Sequence, residues 1–93
     1  MIKVALRVHG RVQGVGFRWG TQRVAHEIGG LTGRVWNNDD GSVGIHVQGK
    51  DAMAIKQFIS EIKRGPMPMA IVEQVDIAVG TFPDYKRFTA EQG

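Results

Sequence analysis

The chain has 93 residues, of which 42% are apolar, 23% charged and 8% aromatic, and this describes one compact domain over 1–93 with no room for a second. It contains no cysteine, which excludes disulfide scaffolding, thiolate metal sites and cysteine nucleophiles. Twelve Lys and Arg against nine Asp and Glu give +3, and the basic residues are scattered, a balance that suits a small anionic ligand better than a long nucleic-acid track.

Met1 to Arg7 is interrupted by charges every few residues. It offers neither the apolar region of a signal peptide nor a membrane span of about 18 residues, so a soluble cytoplasmic protein without a membrane partner is expected. Ile2, Val4, Leu6 and Val8 alternate with Lys3, Ala5, Arg7 and His9, the period of a strand with one buried face. The glycines from Gly10 to Gly16 predict that the strand ends there in a loop. Phe17, Thr21, Val24, Ala25 and Ile28 then recur as on one side of a helix, which Gly29-Gly30 stops.

Leu31 to Asn37 and Val43 to Gln48 alternate again as two strands, and Asp40-Gly41 between them predicts a hairpin in which Asp39 and Asp40 serve the turn. Asp51 is placed to cap a second helix whose apolar stripe is Ile55, Phe58, Ile59 and Ile62, before Gly65-Pro66. Ile71 to Val79 reads as a fourth strand and Tyr85 to Thr89 as a short fifth. Two helices on one face of a mostly antiparallel sheet accommodate this order, a ferredoxin-like βαββαβ sandwich of the α+β class. The other face, with Lys3, Arg7, Ser42, His46 and Gln48, is expected to be wet.

The segment between the first strand and the first helix carries the chemistry. Gly14 and Gly16 can take positive φ without a Cβ penalty, so that successive N–H groups turn inward as an anion nest. The positive end of the next helix points at the same place, and Arg18 adds a planar fork that matches two phosphate oxygens. Position 19 is Trp, where a dinucleotide fingerprint needs glycine, and no Gly-Lys-Ser or Gly-Lys-Thr follows, so nucleotide binding is disfavoured. His9, His26 and His46 are dispersed without ligand spacing, and no metal site or cofactor is expected.

Val12-Gln13-Gly14-Val15-Gly16-Phe17-Arg18, followed by Gly33-Arg34-Val35-Trp36-Asn37 and Asp40-Gly41-Ser42-Val43, resembles the acylphosphatase family, from about Lys3 to Ala78. It also resembles the acylphosphatase-like domain at the front of certain larger maturation proteins. The resemblance implies a hydrolase that cleaves acyl phosphates, with main-chain N–H groups of Gln13, Gly14, Val15, Gly16, Phe17 and Arg18 holding the phosphoryl group together with the Arg18 side chain. It further implies that Asn37 holds the attacking water. Strand parity points the neighbouring Asn38 the other way. The chain departs from the family pattern at Arg34, commonly Trp, at Gly20, commonly aromatic, and in a shorter final strand, Arg87 to Ala90.

A carboxylate leaving group, whose conjugate acid has a pKa of about 4, needs no general acid. The expected reaction is therefore metal-free in-line attack by water, with a substrate phosphate oxygen taking the proton. The expected partners are an acyl phosphate substrate and inorganic phosphate as product and competitor, with no nucleic acid, on a monomer. Two other readings are a ferredoxin-like RNA-binding module, which lacks aromatics on Lys3 to His9 and Val43 to Gln48, and a phosphate- or carbamoyl-phosphate-binding helper domain of a larger assembly.

Overall fold

The computed structural model describes residues 1–91. Its elements run β1 (Ile2–Arg11), α1 (Phe17–Ile28), β2 (Thr32–Asn37), β3 (Val43–Gly49), α2 (Ala52–Arg64), β4 (Ile71–Val79) and β5 (Phe88–Ala90). The sheet order is β4-β1-β3-β2-β5. β1 pairs antiparallel with β3 and β4, β2 pairs antiparallel with β3, and β5 lies parallel to β2. The arrangement is ferredoxin-like. No helix among the described residues is long and apolar enough to cross a membrane.

The strand alternation places Leu6, Val8, Val35, Val43, Ile45 and Val47 against Phe17, Val24, Ile55, Phe58 and Ile62 in one core, so both helices cover the same face. Asp51 caps α2, its carboxylate accepting from the Met53 N–H at 2.9 Å. In the hairpin, Asp40 Oδ1 accepts from the Ser42 N–H at 2.9 Å and the Ser42 hydroxyl at 2.6 Å. These bonds, led by the hydroxyl's, hold the Asp40 carboxyl below its usual range.

Three expectations need correction. β1 does not stop at Gly10 but continues to Arg11, because a bulge between His9 and Gly10 resets its pairing with β4. β5 begins at Phe88, not Tyr85. The face opposite the helices is not uniformly wet: Gln48 is buried there because the segment from 80 to 87 lies across it as a strap, and Ser42 is buried among its hydrogen-bond partners Gln13, Asn38 and Asp40.

Lys3 Nζ donates to the Phe82 carbonyl at 2.6 Å and pairs with Asp84 at 2.8 Å. Gln48 accepts from the Tyr85 N–H at 3.0 Å and donates back to its carbonyl at 3.4 Å. The Phe82 ring stacks on His46 at 4.1 Å, and His46 Nδ1 is hydrogen-bonded to the Tyr85 hydroxyl at 2.8 Å. Burial beneath these rings, with the nearby Arg34 charge second, pushes the His46 pKa below its usual 6.5.

Candidate active site

Buried Val12 and Phe17 anchor the two ends of the loop between β1 and α1, and Val15 packs on the core between them. Gly14 and Gly16 have φ of +75° and +78°, while Val15 keeps an ordinary negative φ. Backbone that alternates in hand this way turns successive N–H groups toward a common centre. Gly16 is also the N-cap of α1. Among the described residues no side chain caps it, and the first helical turn carries no acid. The positive helix end is thereby left open to an external anion.

Gly14, Gly16, Arg18 and Asn37 line one cleft of about 430 Å³. Asn37 reaches it by strand parity. Val35, two residues earlier, is fully buried against the helices, and Asn37 faces the same way. Its Oδ1 is buried and has no hydrogen-bond partner among the described residues. Asn38 turns to the opposite side, where its Oδ1 accepts from Trp36 Nε1 at 2.9 Å and its Nδ2 donates to the Ser42 hydroxyl at 3.0 Å.

Gln13 and Val15 are not part of the cleft lining. The Gln13 side chain instead donates to the carbonyls of Asn38 and Ser42, at 2.8 and 2.9 Å, and so clamps the loop to the hairpin that presents Asn37. Arg7 is also elsewhere, on the opposite face, 3.7 Å from the Asp40 carboxylate. Met67 is within 3.1 Å of where a Cβ on Gly16 would lie and within 2.7 Å of one on Gly20. It fills the space over the loop, and an aromatic at position 20 would have no room.

The sequence reading expects a short fifth strand but does not place it at the cleft. Thr89, Ala90 and Glu91 line the cleft, because parallel pairing lays β5 beside β2. An Arg18 nitrogen donates to the Glu91 carbonyl, and the Glu91 carboxylate pairs with Arg34. Arg34, the departure from the family pattern, thus ties the end of β5 to β2. The short strand expected over Tyr85 to Thr89 is the signal for this wall, but nothing in it says that it pairs with β2. Among the described residues, the titratable side chains in the lining are Arg18 and Glu91, and no three His, Asp or Glu side chains gather as metal ligands would. A cleft with an arginine, oriented amides and a buried amide oxygen is suited to holding a tetrahedral oxyanion and a water, not to moving protons through a side-chain base.

The acylphosphatase family model matches residues 4–90. An acylphosphatase from Lactobacillus johnsonii is 48% identical over 89 residues, covering 96% of this chain and 93% of its relative. The crystal structure of acylphosphatase from Bacillus subtilis superposes with a TM-score of 0.89 at 33% identity, over 99% of this chain and all of the other. Full-length HypF in its phosphate- and nucleotide-bound form matches with a TM-score of 0.87 at 30% identity, over 98% of this chain but 12% of HypF.

Proposed function

The chain belongs to the acylphosphatase family, and from that membership we propose that its cleft hydrolyses acyl phosphates to a carboxylate and inorganic phosphate. The amides of the loop from Gln13 to Arg18, with the Arg18 guanidinium, hold the phosphoryl oxygens. Asn37 Oδ1 accepts a hydrogen from the attacking water and so turns the water's lone pair toward phosphorus. The new P–O bond forms in line as the bond to the acyl oxygen breaks. The carboxylate departs with the bonding pair, unassisted by an acid. The water's proton passes to a phosphoryl oxygen, so the products are a carboxylate and protonated phosphate.

The observation that carries this reading is the buried, unpartnered Asn37 oxygen in the same cleft as Arg18. A buried acceptor without a donor costs about 1–3 kcal/mol, a cost that a catalytic water would relieve and that a purely structural asparagine would not carry. Preorganised loop amides and a fixed guanidinium meet developing charge without reorganising.

An assay with acetyl phosphate in excess chelator tests the proposal. Turnover should persist and inorganic phosphate should compete. Arg18→Ala should lose both binding and turnover, by about 10³-fold in kcat/KM. Loss of turnover on adding chelator, or full activity of Arg18→Ala, would overturn it. No observation favours the RNA-binding reading, since the strap with Phe82 and Tyr85 occupies the sheet face where bases would stack. Turnover of a simple acyl phosphate by the isolated chain would also set it apart from a helper that only binds.

A further inference from the structure

Trp19 follows Arg18 on α1 but takes no part in the core. Its surface is 61% exposed, whereas the helix buries Phe17, Gly20, Thr21, Val24 and Ala25. An exposed indole alone would be unremarkable, but its position is specific. Trp19 and Gln22 line both the cleft that holds Arg18 and Asn37 and a second hollow of about 470 Å³ that continues to Arg23 and His26. The two residues form the rim shared by these spaces. Large apolar side chains exposed elsewhere, such as Met53, Ile77 and Val79, lie off the cleft.

The rim is braced. The Arg23 guanidinium stands 5.8 Å from the Trp19 ring centroid. That guanidinium is itself held by the Glu27 carboxylate at 3.0 Å and the Pro66 carbonyl at 2.9 Å. Gln22 donates to the Phe88 carbonyl at 3.2 Å, joining α1 to the β5 wall. The indole is therefore held in place from one side without being buried, which lowers the ordering cost of stacking a ligand on it.

A substrate gripped by its phosphoryl end must project its acyl group past this rim. We propose that Trp19 is a specificity-determining residue of this chain, the platform on which the acyl portion rests. The inference rests on the reading of the cleft given above. An aromatic acyl group would stack offset or edge-on against the indole and remove apolar surface of both partners from water. Acetyl is too small to gain this contact.

The test compares kcat/KM for benzoyl phosphate and acetyl phosphate in the wild type, Trp19→Ala and Trp19→Phe. The intrinsic reactivity of the two substrates cancels when the ratio is compared between variants. Trp19→Ala should lower the benzoyl-to-acetyl ratio about ten-fold, mainly through the benzoyl phosphate KM, and Trp19→Phe should keep most of it. An unchanged ratio, whether both activities fall together or neither falls, overturns the role of Trp19 while leaving the reading of the cleft intact. A wild-type protein that hydrolyses neither substrate overturns both.

Discussion

The two faces of the sheet treat their polar groups in opposite ways. Beneath the strap, Lys3, His46 and Gln48 each have partners: Lys3 holds a carbonyl and a carboxylate, Gln48 takes both main-chain groups of Tyr85, and His46 has a hydroxyl and a stacked ring. At the cleft, α1 begins without a side-chain cap and Asn37 keeps a buried oxygen unpartnered among the described residues. Hydrogen bonds completed within the protein stabilise it and leave little for a ligand. Unsatisfied groups aimed at one point weaken the fold slightly and favour something bound. The polar residues under the strap are structural for this reason, and those at the cleft are candidates for chemistry.

Truncating one amide on each side gives the sharpest contrast. Asn37→Ala should lower kcat by about 10²-fold or more with KM little changed, and its denaturant midpoint should not fall, because no internal hydrogen bond of its Oδ1 is lost. Gln48→Ala should do the reverse: a loss of about 1–3 kcal/mol in denaturant unfolding, since the main-chain N–H and carbonyl of the half-buried Tyr85 are left unmatched, with kcat of the folded enzyme within a few-fold of wild type. Should Asn38→Ala be the inactive variant instead, the assignment on β2 is off by one residue.

A second, smaller effect belongs to the strap alone. The folded state favours neutral His46, because burial lowers its pKa below the usual 6.5. The unfolded chain then binds the extra proton first, so this contribution to stability is complete above about pH 6.5 and falls as pH drops from there toward the folded pKa, below which it levels off. Denaturant midpoints measured between pH 8 and pH 5 should show this decline in the wild type and a flatter course in His46→Gln. An identical pH course in the two proteins would show that the strap does not titrate through His46.

The smallest effect sharpens the contrast from within the core. Thr21 Oγ1 is also buried without a partner among the described residues, but Thr21 is fully buried and does not line the cleft. Thr21→Val keeps the shape and removes the desolvated hydroxyl, so it should raise stability by about 1 kcal/mol without changing kcat. A loss of turnover in this variant would mean that orphaned polar atoms do not separate chemistry from packing in this protein.

Much of the architecture is written in local pattern. Ile2 to Val8 and Val43 to Val47 alternate, Ile55 to Ile62 repeat with helical spacing, and Asp51 and Asp40-Gly41 mark a cap and a turn. The loop from Gln13 to Arg18 is equally local, since glycine conformations and a helix start depend on neighbours in the chain. Even the inward direction of Asn37 follows from counting along β2. The strap was not legible, because Gly80 to Arg87 has no period and its role comes from Lys3, His46 and Gln48 at sequence separations of about forty residues or more. The role of the Gln13 side chain was not legible for a related reason: the hairpin carbonyls of Asn38 and Ser42 that it holds lie 25 and 29 residues away in the chain.

The amino-acid order by itself determined the succession of strands and helices, the face each turns inward and the loop able to take an anion, since these depend on side-chain period and backbone freedom over a few residues. Only the tertiary structure decided that β5 lies beside β2, that Glu91 meets Arg18 and Arg34, that the strap shelters His46, and that Asn37 enters the cleft without a partner. Each of these depends on where distant segments come to lie once the core has closed, and no short-range rule encodes those distances.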